Sequence, residues 1–258
     1  MNAKIIYFCC ETHNTMTKEH NQWYTSWFDT PFYHILYKER NDEEAKLFID
    51  NITNYINIPR KAKVLDLACG KGRHSKYLNS LDYDVTGVDL SSNNIAHANQ
   101  FANDTLRFKV HNMANPVGDS YEAIFNLFTS FGYFENEEDN LNTIKAIKCG
   151  LDDFGFGVID FMNVDFILKH LIEHEVKTVD GIEFHIHRFV ENGFIKKNIE
   201  FNYQNKSYHF QESVKAISLK QFENLFNEAG VHLIEIFGNY KLQKFDLQNS
   251  ERLIMIFK

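Results

Sequence analysis

The chain has 258 residues, 44% hydrophobic and 24% charged. This is near the globular average and excludes collagen, coiled coil and wholesale disorder. Its formal charge is −8 with a pI near 5.8, so it lacks the broad positive field with which nucleic-acid binders collect phosphates. No run reaches the ~18 apolar residues of a membrane helix. The apolar stretch Ile5–Cys10 is shorter than the ~7–15 residues of a signal-peptide core. Four cysteines, at 9, 10, 69 and 149, show neither zinc spacing nor framework spacing, so reduced thiols and a cytoplasmic location are expected.

Residues 1–15 differ in character from the rest of the chain, and Met16 opens a polar stretch. The expectation is a biological start at Met16, with 1–15 a loose tail or an extension. From Trp23 to Tyr37 aromatics dominate, among them Tyr24, Trp27, Phe28, Phe32 and Tyr33. Leu47, Phe48, Ile52, Tyr55 and Ile56 then recur at helical spacing until Pro59,. An alternation comes next: a strand at Lys63–Leu67, a helix to Ser80, a strand at Val85–Asp89, and a helix capped by Ser91 and running to Ala102. Strands are expected at Leu106–Val110 and Ala123–Phe128, a helix at Glu137–Cys149, and a strand at Gly157–Phe161. Such alternation predicts an α/β fold whose mostly parallel sheet is covered on both faces.

The pattern changes between Glu175 and Ile217. Period-two alternation, with turn signals at Asp180-Gly181, Asn192-Gly193 and Asn205-Lys206, predicts an antiparallel insertion of three or four strands. Ser218 then caps a helix that Gly230 stops, and two strands, Val231–Phe237 and Leu253–Phe257, close the chain. The expected organisation is a core of residues 16–162 and 218–258, with 163–217 as a β-rich substrate cap.

The most informative stretch is Val64-Leu65-Asp66-Leu67-Ala68-Cys69-Gly70-Lys71-Gly72-Arg73-His74. A strand delivers a carboxylate, two glycines let the backbone turn close to a ligand, and the next helix points its positive end into that turn. Asp89 ends the next strand, where nucleotide-binding α/β folds place an acid on the ribose hydroxyls. A nicotinamide dinucleotide fingerprint wants a third glycine or alanine where Ser75 stands. Asp66 would repel a diphosphate, whereas a ligand with a cationic amino-acid end would welcome it. The residues therefore point to S-adenosylmethionine.

This run resembles motif I of class I S-adenosylmethionine-dependent methyltransferases, and is close to their small-molecule, glycine N-methyltransferase-like branch. Val85–Ser91, Phe108–Met113 and Phe125–Phe134 are similar to motifs II, III and IV, and the aromatic lead-in resembles segments that fold over the cofactor in that branch. The resemblance implies a Rossmann-like seven-stranded sheet. It implies that Asp66, Ala68, Gly70 and Gly72 hold the methionine end and Asp89 the ribose. Leu90 and Met113 would sandwich adenine, Asn112 would meet its amino edge, and backbone near Asn126 and Leu127 would face the sulfonium. Arg40 is the candidate partner of the methionine carboxylate, and Tyr33 or Tyr37 would close over the sulfonium. Trp23 and Phe28 are read as packing.

Other signals are weaker. His170-Leu171-Ile172-Glu173-His174 matches the zinc-protease pattern H-x-x-E-H, but a solvated helical turn is the plainer explanation, and no metal is expected. His185 and His187 share one strand face and are read as facing water, with His185 kept as a candidate base. Nucleic-acid amino-methyltransferases carry prolines after the fourth strand, where Asn126-Leu127-Phe128-Thr129 stands, and Lys196, Lys197 and Lys215 are scattered. A polynucleotide partner is therefore not expected.

The expected activity is in-line transfer of a methyl group to N or O of a small-molecule acceptor, by a cytoplasmic monomer or homodimer without membrane partners. Tyr33, Tyr133 and His185 are the catalytic candidates. A catalytically silent S-adenosylmethionine-binding regulator and a nicotinamide-dependent oxidoreductase are the alternatives.

Overall fold

The computed structural model describes residues 27–38 and 42–258. Arg40, Trp23, Tyr24, Met16 and the 1–15 segment, to which the sequence attaches expectations, lie outside them. Two helices lead in: α1 (Pro31–Leu36) and α2 (Asp42–Ile56). Thr30 caps α1 by accepting from the Tyr33 N–H, and Pro31 occupies the first helical turn, where its missing N–H costs nothing. Helix α2 buries Phe48, Ile52 and Ile56 as their spacing predicts, together with Ile49, whereas Leu47 and Tyr55 of the same pattern are exposed.

The core alternates β1 (Lys63–Leu67), α3 (Arg73–Ser80), β2 (Asp84–Asp89), α4 (Ser92–Ala98), β3 (Leu106–Val110), β4 (Tyr121–Asn126), α5 (Glu137–Gly150) and β5 (Leu151–Met162). A short helix α6 (Val164–Lys169) leads into four strands, β6 (His174–Val179), β7 (Ile182–Glu191), β8 (Phe194–Tyr203) and β9 (Lys206–Lys215). The chain returns through α7 (Leu219–Ala229), β10 (Leu233–Phe237) and β11 (Arg252–Phe257). The seven-stranded sheet has the order β10-β11-β5-β4-β1-β2-β3. Its pairings are parallel except β10–β11 and β11–β5. Strand β1 lies between β2 and β4, so the chain winds outward in both directions from it. The crevice beyond the carboxyl ends of β1 and β4 is where open α/β sheets bind ligands.

One core face packs α2, α3 and α4 residues such as Phe48, Leu78 and Ile95 on Val64, Val85 and Phe125; the other packs α5 and α7 residues such as Ile144, Phe222 and Phe226 on Leu65, Ile124 and Phe161. The four-stranded sheet is antiparallel throughout. Its inner face does not rest on the core helices. Ile182, Phe184, Ile186, Ile199 and Phe201 bury themselves against Trp27 and Leu36 of the lead-in.

Two expectations are corrected. Strand β4 ends at Asn126, two residues early, because Phe128 and Thr129 both adopt positive φ (56° and 58°) that no strand accommodates. The H-x-x-E-H residues share no helix: His170 caps the end of α6 and His174 begins β6. Cys69 is buried and free.

Candidate functional site

The β1–α3 turn is built by backbone conformations few residues tolerate. Ala68, Gly70 and Gly72 all take positive φ, at 65°, 56° and 80°. The two glycines do so for different reasons. A Cβ on Gly70 would meet nothing within 4 Å, so its backbone borders open space that a ligand can approach. A Cβ on Gly72 would lie 2.8 Å from the Phe108 ring, so this glycine serves helix–strand packing. Asp89 locks the turn: it accepts from the Gly70 N–H at 2.9 Å and from the Ser91 N–H at 2.9 Å.

Around this turn lies a cavity of about 400 Å³ lined by Ala68, Gly70, Lys71, Arg73, His74, Asp89, Leu90, Asn112 and Met113. The lead-in covers it with Phe28, Tyr33, His34 and Tyr37, and the loop after β4 with Leu127, Phe128 and Tyr133. Asp29 pins this cover by accepting from Ser91 Oγ and Asn93 Nδ2. The cleft thus joins an acid at the end of β2, a glycine backbone at a helix N-terminus, two apolar side chains and a cation. Those donors fit the adenosine and amino-acid ends of S-adenosylmethionine.

Three of the cofactor-binding residues expected from the sequence do not reach the cavity. Asp66 is 1% exposed and accepts from Ser75 Oγ at 2.5 Å beneath the turn. Burial pushes its carboxyl up to about 6. Gly72 packs against Phe108, and Asn126 is buried with Nδ2 donating to the Leu67 carbonyl at 3.0 Å. His185 is corrected more sharply: it is an exposed residue of β7, 2.9 Å from Glu183, and lines neither cavity of the cleft. Tyr33 and Tyr133 both do.

A second cavity, of about 800 Å³, adjoins the first. Four aromatic residues line both: Phe28, Tyr33, Phe128 and Tyr133. Beyond them the second cavity meets Thr129, Tyr240 and Arg252 of the core, Glu44 of α2, and Glu175, Arg188, Lys197 and Glu212 of the four-stranded sheet. Its charges are largely compensated: Arg188 pairs with Glu175 at 2.5 Å and Lys197 with Glu212 at 3.4 Å.

The wall between the cavities is held from below. Asp160, fully buried on β5, accepts from the Phe128 N–H at 2.8 Å and from Tyr240 Oη at 3.2 Å. Its backbone carbonyl takes the Thr129 N–H. From the side, Glu212 of β9 receives Trp27 Nε1 at 2.8 Å and Tyr37 Oη at 2.6 Å. Lys197 Nζ donates to the same Tyr37 oxygen.

Sequence reasoning missed several lining residues. Lys71, Arg73 and His74 stand within the motif itself, and a lysine and an arginine in such a turn were signal enough to rival Arg40. His74 stacks on Phe128 at 4.7 Å, and burial beside Arg73 pushes its pKa down to about 3, so it is neutral. Asp160 carried a signal too, as a lone carboxylate inside the apolar run Val158–Phe161.

Residues 64–149 match the family of methyltransferase domains. The chain is 26% identical over 211 residues to a glycine/sarcosine N-methyltransferase of Halorhodospira halochloris, covering 78% of this chain and 76% of that one. It is 27% identical over 102 residues to a dTDP-3-amino-3,4,6-trideoxy-alpha-D-glucopyranose N,N-dimethyltransferase of Streptomyces venezuelae, and spans 43% of its length. Among solved structures, an S-adenosylmethionine-dependent methyltransferase from Clostridium acetobutylicum superposes with a TM-score of 0.75 at 18% identity, over 87% of this chain and 94% of that one.

Proposed function

We propose that this chain, a class I S-adenosylmethionine-dependent methyltransferase acting on a small molecule, places the methyl group on an amine nitrogen. One observation carries the proposal: a cofactor-sized cleft opens, across a wall of aromatic rings, into a second and larger cavity that charged side chains of the inserted sheet reach. The glycine/sarcosine and amino-sugar enzymes among its sequence relatives are named for transfer to nitrogen.

S-adenosylmethionine supplies, when bound, a methyl group already activated on a sulfonium. The protein's task is therefore placement, bringing a nucleophile within about 3–3.5 Å of that carbon and in line with the departing bond. We assign Asp89 to the ribose, Leu90, Asn112 and Met113 to adenine, and Ala68 and Gly70 to the methionine end, with Lys71 and Arg73 as its cations. Asp66 acts beneath the turn by holding Ser75. Tyr33 and Tyr133 border the reacting atoms. The four-stranded sheet and the lead-in form the acceptor's cap, since Glu175, Arg188, Lys197 and Glu212 all reach the second cavity. A neutral amine carries its own lone pair, so no strong base is required at the wall.

Among the described residues no helix is long and apolar enough to cross a membrane.

The test offers the protein S-adenosylmethionine with a panel of amino acids and amino sugars, beside matched hydroxyl analogues. Products are detected by mass spectrometry and by release of S-adenosylhomocysteine. Methylated amines with unreacted hydroxyl analogues are the expected result. Transfer to the hydroxyl partners alone would overturn the assignment to nitrogen.

A further inference from the structure

The four side chains shared by the two cavities are all aromatic, and ring contacts join three of them. The Phe28 ring lies 4.9 Å from Tyr33, edge to face, and 5.6 Å from Tyr133. Phe128 lines the same two cavities from the loop after β4, with His74 stacked on it, the Arg73 guanidinium 5.2 Å from its ring centre and Phe48 6.4 Å away. Glu44, one turn before Phe48 on α2, lines the second cavity beside Phe128. Three cations of that cavity are answered by acids: Arg188 by Glu175, Lys197 by Glu212, and Arg252 by Asp160, while Lys241 also reaches it. The throat presents ring faces and edges together with the hydroxyls of Tyr33 and Tyr133.

Aromatic faces attract cations through their quadrupole, and attract them most where water is excluded. Methyl transfer to an amine moves a positive charge through this point. The nitrogen lone pair forms the new N–C bond while the C–S bond breaks with its electron pair remaining on sulfur. The charge thereby passes from sulfur to nitrogen. Transfer to a hydroxyl, which sheds its proton, leaves a neutral ether, so no cationic product remains for such a lining to hold.

We propose that Phe28, Tyr33, Phe128 and Tyr133 form a binding site for a methylated ammonium group. This rests on the amine assignment and deepens it. The acceptor is then an aliphatic amine whose methylated product is retained as a cation. The second cavity, at about 800 Å³, accommodates the remainder of the acceptor.

The decisive measurement is calorimetric and needs no turnover. The full-length protein is saturated with S-adenosylhomocysteine, then titrated with choline and with 3,3-dimethylbutan-1-ol, its uncharged isostere. Glycine betaine and 3,3-dimethylbutanoate form a second pair, in which the remainder of the molecule is an acid. At least one cation should bind ten-fold or more tightly than its isostere. In Tyr133→Leu, with an unchanged circular dichroism spectrum, that ratio should shrink toward one. No preference in either pair, or no binding by any of the four, overturns the proposal. Failure to bind S-adenosylhomocysteine would instead overturn the cofactor assignment, so the two failures are separable. The wild-type comparison decides the matter even if the variant does not fold.

Discussion

Arg252, on the last strand, donates from Nε to Oδ1 of Asp160 at 2.8 Å and from Nη2 to Thr129 Oγ1 at 2.9 Å. One guanidinium thus ties the centre of the sheet to the loop that separates the two cavities. The loop needs the tie, because Phe128 and Thr129 sit consecutively in left-handed backbone, a conformation that persists only where its surroundings over-determine it. Asp160 supplies the rest, accepting from the Phe128 amide and from Tyr240. Burial raises its carboxyl while Arg252 opposes that rise.

Removing Asp160 should therefore cost both stability and placement. Asp160→Ala leaves Arg252 without its buried partner and should destabilise the fold by about 3–5 kcal/mol. For a chain of this size that is roughly a 10 °C fall in Tm, measurable by calorimetry. Arg252→Lys keeps a charge but not the fork, and should lower kcat more than it raises KM. A Tm within about 1 °C of wild type for Asp160→Ala would show the pair to be dispensable.

The glycines of the β1–α3 turn should fail differently. Gly70→Ala adds a methyl to open space at positive φ, so it should cost only about 1 kcal/mol while weakening S-adenosylhomocysteine at least ten-fold. Gly72→Ala drives a methyl into the Phe108 ring and should cost about 2 kcal/mol or more through overpacking. Denaturant melts and calorimetric titration of both variants separate the two effects. Equal loss of stability would refute the distinction.

Asp66 makes stability depend on pH in an unusual direction. Its carboxyl moves from 3.8 to about 6, chiefly by burial, with Ser75 opposing. The folded protein then holds this proton more tightly than the unfolded chain. The contribution is complete below about pH 4 and is lost as pH rises to about 6, amounting to about 3 kcal/mol. Asp66→Asn removes the titration. The variant's stability relative to wild type should climb by about that amount between about pH 4 and pH 7, then stay level. A difference that is flat with pH would show that the carboxyl titrates normally.

Asp89 is held by Gly70, Ser91 and Asn94, so its orientation is fixed before any ligand arrives. Asp89→Ala should weaken S-adenosylhomocysteine ten-fold or more, with a smaller loss for Asp89→Asn, which retains an acceptor oxygen. Calorimetric titration checks this. Unchanged affinity in Asp89→Ala would remove the ribose assignment.

Glu212 holds the lead-in shut through Trp27 and Tyr37. Glu212→Ala strips Lys197 of its partner in a place where both side chains are 15% exposed. Amide exchange across residues 27–37 should accelerate ten-fold or more while the seven-stranded sheet stays protected, as mass-resolved exchange would show. Acceleration spread over both sheets would indicate global loosening instead.

The gathering of Gly70, Asp89 and Met113 at one site was implied by the family resemblance, whereas the αβ order, the caps at Ser91 and Ser218, and an antiparallel insertion of three or four strands were legible in the amino-acid pattern. The latter follow from local rules: period-two and period-3.6 alternation, capping chemistry, and the conformational freedom of glycine. Which motif residues meet the cleft depends instead on long-range packing. Asp66 and Asn126 turn inward because a strand buried on both faces leaves alternate side chains no route to solvent. The packing of the lead-in on the inserted sheet is equally non-local, since matching two apolar faces far apart in the chain has no local signature. The Asp160–Arg252 tie and the shared aromatic wall belong to the same class. Their members come from separate elements, the β4–α5 loop, β5 and β11 among them, and only the sheet order brings those ends to one place.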